Sequence, residues 1–152
     1  MADPKARLAE LGLSVPQVVP PLAAYVPAVR TGSLVWTSGQ LPMAGGEMAH
    51  TGLVGGPVSP EQAKELARTC ALNALAAVDA LVGLDSVTRV VKVVGFVASA
   101  PGFTGQPGVV NGASELLGDV FGEAGRHARS AVGVAALPLD APVEVELIVE
   151  VG

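Results

Sequence analysis

The sequence predicts an α+β domain: a mixed β-sheet with two main helices on one face. Three observations carry that expectation. Apolar residues fall into β-like runs and helical stripes in the order hairpin, helix, strand, helix, strand, strand. The last run, VEVELIVEV, alternates, with apolar odd positions from Val143 to Val151 and with Glu144, Glu146, Ile148 and Glu150 between them. Neither a fixed-period repeat nor a long linker divides the chain, so residues 1–152 read as one domain.

DPKARLAELGL opens as a short helix with Asp3 as cap, Pro4 at its first position and Gly12 after its last turn. SVPQVVPPLAAYVPAV is proline-rich and reads as extended, irregular chain. AVRTGSLVWTSGQLP reads as a hairpin turning at Thr31-Gly32-Ser33. Its second strand sends Leu34, Trp36 and Ser38 one way and Val35 and Thr37 the other. MAGGEMAHTGLVGG is a glycine-rich loop with room for a short edge strand.

The longest helix starts at Ser59-Pro60, where Gln62 completes a capping box, and stops at Gly83. Ala63, Leu66, Ala67, Cys70, Ala74, Ala77, Val78 and Leu81 form its apolar stripe, so Cys70 reads as a buried core thiol. SVTRVVKVVGFVAS has apolar residues on both faces and is expected to be covered on both. VVNGASELLGDVFGEAG is the second main helix, with Ala113, Leu116, Leu117, Val120 and Phe121 inward and Asn111 in its first turn. The last two strands flank LPLDAP. A simple hairpin there sets Glu144 opposite Ala135 and Arg129 near Glu150, too far apart for one site. A site shared by Arg129 and Glu144 therefore requires strands that are not direct partners, or a second subunit.

Half the residues are apolar and 15% are charged, against a usual ~25%. So few charges cover the apolar surface poorly, and burial against further subunits is expected. The net charge of −5 and the lack of a basic cluster argue against nucleic acid. One cysteine excludes an intrachain disulfide and a cysteine-rich zinc site, and His50 and His127 have no ligand spacing, so no metal is expected. The charged start and the absence of a long apolar run give the expectation of a cytoplasmic protein without a membrane partner.

No nucleophile elbow, P-loop, zinc-helix motif or dinucleotide fingerprint is present. What remains is polar residues among apolar ones. Arg129 opens a strand of small residues, with space around a fork suited to a carboxylate or, alternatively, with its head in water. Glu144 sits beside Glu146 on one strand face, where partial burial raises a carboxyl towards the range useful for moving protons, or where all simply face solvent. Tyr25 precedes the first strand, and Ser38-Gly39 end the second, where free backbone N–H groups bind anions. His127, two residues before Arg129, is a further polar candidate.

YVPAVRTGSLVWTSGQLP, VVNGASELLGDVFGEAG and ARSAVGVAALPLDAPVEVELIVEV resemble the YjgF/RidA family of reactive intermediate deaminases, also called endoribonuclease L-PSP or translation inhibitor proteins. The likeness runs from about Val26 to the C-terminus, after a lengthened N-terminal segment of about residues 1–24 that suggests a less studied branch. The resemblance implies a chorismate-mutase-like fold and a homotrimer whose sheets form a central barrel with sites between subunits. It implies hydrolysis of enamines and imines such as 2-aminoacrylate to 2-oxo acids and ammonia, without a cofactor. By the same resemblance Arg129 grips the substrate carboxylate, Glu144 handles water, and Tyr25, Ser38, Gly39 and Asn111 line the cleft. The sequence departs from the pattern at Ala131, where a cysteine is usual, at Gly133, where a glutamate is usual, and at the lead-in Gly125-Arg126-His127. A wider cleft or a different substrate is implied, with His127 replacing the thiol's polar chemistry as one option. Two other readings stand beside deamination: a non-catalytic trimer that binds a small carboxylate, and a ribonuclease or translation inhibitor.

Overall fold

The computed structural model describes residues 3–152. The helices are α1 (Pro4–Glu10), α2 (Pro60–Val82) and α3 (Gln106–Phe121). The strands are β1 (Ala28–Thr31), β2 (Leu34–Thr37), β3 (Val87–Ala98), β4 (Ala128–Val134) and β5 (Val143–Val151). They form one mixed sheet in the order β1-β2-β5-β3-β4. Every neighbouring pair is antiparallel except β3 and β4, which run parallel.

Local chemistry sets the helix starts. Asp3 accepts from the Lys5 amide at 3.0 Å. At α2 the Ser59 hydroxyl accepts from the Gln62 amide at 3.1 Å while the Gln62 side chain accepts from the Ser59 amide at 3.0 Å, satisfying two donors that a helix start leaves open. α1 is docked rather than loose: Leu8 is fully buried and Arg7 donates to the Asp119 carbonyl of α3.

The core lies between the sheet and the α2–α3 layer. Val93, Val97, Val143, Val145, Leu147 and Val149 face it from the sheet, as the alternation of β5 predicts. Small side chains let the layers approach closely. A Cβ at Gly112 of α3 would lie 1.9 Å from the Lys64 carbonyl oxygen of α2. Cys70 is buried on the α2 stripe and directs its thiol to the Val143 carbonyl at 3.6 Å.

Four local expectations change. Leu81, in the last turn of α2, is 45% exposed, and Leu84 of the following turn fills the core at that end. The glycine-rich loop contributes isolated bridges only, Ala44 to Glu47 and Val54 to Val58 and Ser99, because its backbone turns too often to sustain a ladder. α3 begins at Gln106, with Pro107 in its first turn, so Asn111 lies in the second turn. β3 is covered on its helix-facing side, whereas Val94 and Phe96 on the other side are only half-buried.

The last two strands take the alternative in which they are not direct partners. They do not form a hairpin. β4 pairs with β3 from Lys92↔Ala128 to Ala98↔Val134, and β5 lies on the other side of β3. α3 is the crossover that a parallel pair needs.

The approach at Gly112 has a measurable cost. Gly112→Ala should lower stability by about 1–3 kcal/mol, since backbone rather than a flexible side chain must yield. Gly118→Ala on the same helix has nothing within 4 Å of the new Cβ and should raise stability by about 0.5–1 kcal/mol. Urea denaturation of both variants checks the pair.

Candidate functional site

Strand alternation puts Arg129 on the helix-facing side of β4, in the row of Val93 and Leu147. α3 supplies its partners. Nη1 donates to Asn111 Oδ1 at 2.8 Å and to Ser114 Oγ at 3.3 Å, and Nη2 donates to the Pro107 carbonyl at 3.3 Å. All three acceptors are neutral, and the ion pairs among the described residues do not include Arg129. A guanidinium has five N–H donors. Three are engaged, which leaves the Nε–H and one Nη2–H on neighbouring nitrogens, the pair a bidentate carboxylate takes. The head group is therefore neither free in solvent nor neutralised.

His127 and Ser114 extend this cluster. His127 Nε2 lies 2.9 Å from Ser114 Oγ, and Nδ1 lies 2.6 Å from the Gly125 carbonyl. Ser114 was not among the sequence candidates. The signal that could have found it is its place one helical turn after Asn111.

The alanine and glycine left by the sequence departures have local surroundings that account for them. A Cβ at Gly133 would meet Gln106 Nε2 at 2.9 Å and Ser99 Oγ at 3.0 Å. Gln106 is tied there by donating to Ser99 Oγ and to the Phe103 carbonyl. A glutamate at that position would have to displace the Gln106 amide, and Ala131 packs on the core instead of presenting a thiol.

Glu144 belongs to a second cluster. It pairs with Phe96 and sits with Glu146 on the face away from the helices. Burial, and secondly the charge of Glu146, hold the Glu144 carboxyl above its ordinary 4.5. Burial raises Glu146 as well. Gly39 lies against the Glu144 carboxyl, and a Cβ there would overlap Oε2, so a larger residue would push that carboxyl from its place. No partner for the Gly39 N–H is found among the described residues, whereas the Ser38 amide donates to the Pro27 carbonyl. The Ser38 hydroxyl donates to the Val26 carbonyl at 2.6 Å. Tyr25 Oη accepts from the Leu22 amide at 3.2 Å. Beside Gly39, an apolar cleft is lined by Pro20, Leu22, Tyr25, Leu41, Met43 and Leu139.

Arg129 and Glu144 thus lie on opposite faces of the sheet. Three residues along and two strands across separate them, roughly 14 Å in the sheet plane at ~3.3 Å per residue and ~4.8 Å per strand. The candidate residues fall into two separate groups: Arg129, Asn111 and His127 on one face of the sheet, and Glu144 with Gly39 on the other, Gly39 also lining the cleft that holds Tyr25 and following Ser38 in the chain. Among the described residues no cluster of side chains is arranged to hold a metal ion, and no helix is long and apolar enough to cross a membrane.

The architecture, a mixed sheet backed by helices on one face, is that of YjgF-type proteins. The family model described as Endoribonuclease L-PSP matches residues 16–151, and the chain belongs to that family, the YjgF/RidA family. Protein TCP17 of Trypanosoma cruzi is 47% identical over 147 residues, covering 95% of this chain and 92% of that protein. The crystal structure of Atu1372 from Agrobacterium tumefaciens, a protein of unknown function, is 48% identical, covers 98% of this chain and 92% of its own, and superposes with a TM-score of 0.92. The structure of Escherichia coli TdcF with bound serine is 26% identical over 91% of this chain and 94% of its own, with a TM-score of 0.63. The family match starts at residue 16, whereas the alignment with Atu1372 takes in nearly the whole chain. The N-terminal segment is thus shared with that structure.

The raised Glu144 carboxyl makes a signed prediction. The folded state holds this proton more tightly than the unfolded state, so ionisation costs stability as pH rises above 4.5. Glu144→Gln removes that cost. Its stability relative to the parent should rise between pH 4 and pH 8 and level off once the parent carboxyl is ionised. Urea midpoints measured across that range check it, and a difference independent of pH contradicts the desolvation.

Proposed function

We propose that the protein is a cofactor-independent hydrolase of 2-imino acids and their enamine tautomers, releasing a 2-oxo acid and ammonia. The observation that carries this reading is the Arg129 guanidinium, oriented by three neutral acceptors with two donors left for a carboxylate. The raised, unpaired Glu144 carboxyl supports the second half of the chemistry.

A 2-imino acid is a zwitterion of opposite charges on adjacent carbons. Arg129 takes its carboxylate and Glu144 faces its iminium carbon. Water adds to that carbon while Glu144 accepts a proton from the water, giving a carbinolamine. The proton passes to nitrogen, the C–N bond breaks, and ammonia leaves as the hydroxyl becomes the carbonyl of the 2-oxo acid. An enamine substrate first gains a proton on carbon. Iminium ions are reactive electrophiles, so orientation and one proton acceptor suffice.

The sheet separates the two groups, so a complete site takes Arg129 from one copy and Glu144 from another. The free face of the sheet supports such an assembly. Val29 is 51% exposed, Trp36 44% and Val132 43%, with Val94, Phe96 and Ile148 half-buried among them. A closed homotrimer with these faces inward covers that band. The apolar cleft beside Gly39 takes the substrate's carbon chain. Its walls are largely apolar, which suits a hydrocarbon side chain.

A second reading is favoured by the serine held in TdcF: a binding protein for small carboxylates without turnover. The experiment separates the two. Imino acids are generated in situ by an amino-acid oxidase, and ammonia release is followed. Arg129→Ala and Glu144→Gln should each lower the accelerated rate by about 10²-fold or more. Glu144→Gln should still bind a 2-oxo acid. Unchanged rates in both variants defeat the hydrolase reading, and binding without any turnover in the parent protein establishes the second.

A further inference from the structure

We propose that His127, acting through Ser114, is a positioning residue that fixes the Arg129 guanidinium for carboxylate binding, a proposal that rests on the reading of Arg129 above. The two end bonds of the chain have only one direction available. The Gly125 carbonyl can only accept, so His127 Nδ1, at 2.6 Å, carries its proton. Arg129 can only donate, so Ser114 Oγ accepts from Nη1 at 3.3 Å. In the Nδ1–H tautomer of the ring the serine proton is directed to His127 Nε2 at 2.9 Å. Arg129, Ser114, His127 and Gly125 form a single donor-to-acceptor line ending on backbone.

That end is rigid. Gly125 is buried, and a Cβ there would lie 2.3 Å from the Leu117 carbonyl oxygen of α3. The turn that carries the Gly125 carbonyl is therefore packed against the core. His127 and Arg129 share one side of the chain as it enters β4, and Asn111 and Ser114 share one face of α3. A serine hydroxyl alone rotates freely. The imidazole stops that rotation and keeps the hydroxyl lone pairs toward Arg129. With Asn111 on the same Nη1, the guanidinium plane is held and its unused donors point one way.

The test measures binding of 2-oxobutyrate by calorimetry, and kcat and KM with an imino acid, for the parent, His127→Ala, Ser114→Ala and the double variant. Each single change should raise Kd and KM about 5–10-fold, the size of one hydrogen bond, and leave kcat within about twofold. The double variant should be no worse than the poorer single one, because both changes cut the same line. Ring ¹⁵N shifts of His127 in the folded parent should report the Nδ1–H tautomer, whatever the activity. An Nε2–H tautomer overturns the proposal. So does unchanged Kd in His127→Ala when Arg129→Ala abolishes binding, or additivity in the double variant. A parent that binds 2-oxobutyrate without hydrolysing imines defeats the hydrolase reading alone, and one that binds no 2-oxo acid defeats both.

Discussion

β4 lies parallel to β3, and every feature of the candidate site follows from that pairing. A parallel partner requires a crossover, and α3 supplies it. The helix that makes the crossover is the helix that lies over Arg129. Its Pro107 carbonyl, Asn111 and Ser114 reach the guanidinium because strand and helix belong to the same unit. The same topology places β5 across β3, with Glu144 on the opposite face. Had β4 and β5 formed a hairpin, Arg129 would have lain beside Glu150 and been neutralised.

The electrostatics of the two faces are complementary. On one, a cation is held by neutral groups. On the other, Glu144 and Glu146 are partly desolvated beside each other, and neither belongs to an ion pair among the described residues. Each arrangement is costly in isolation, since charges removed from water without a counter-ion are disfavoured. Folding does not bring these two groups together, because the sheet lies between them. Such costs persist when another molecule offsets them. A zwitterion with carboxylate and iminium on adjacent carbons offers the two opposite charges at one short spacing.

The layers of this fold were legible because they rest on period and capping chemistry. The odd positions of β5, the Ser59–Gln62 cap and the buried Val35 and Thr37 follow from local pattern. Strand pairing was not legible. LPLDAP satisfies a turn composition, but its Leu139 and Asp140 both take positive φ in a 3-10 turn that carries the chain away from β4. Only long-range packing decides which strand receives β5. The candidate residues stand out in the sequence, but their arrangement does not. Arg129, Asn111 and His127 converge as one group, while Gly39 lies against Glu144 and lines a cleft with Tyr25. Ser114 escaped notice because a serine inside an apolar helix has no pattern of its own.

The single cysteine settles what kind of nucleophile this chain can offer. Cys70 is fully buried, and burial first, then the charge of Glu144, push its thiol well above the ordinary 9.0. Its sulfur is directed to the Val143 carbonyl within the core. At the position beside Arg129 where relatives of this family carry a thiol by the sequence resemblance, Ala131 packs on the core. A covalent thiol adduct with an iminium carbon therefore has no donor in either group. In the proposed reaction the attack on such a carbon comes from water, and among the described residues the group near Gly39 with both a raised proton affinity and free oxygens to order that water is the Glu144 carboxyl.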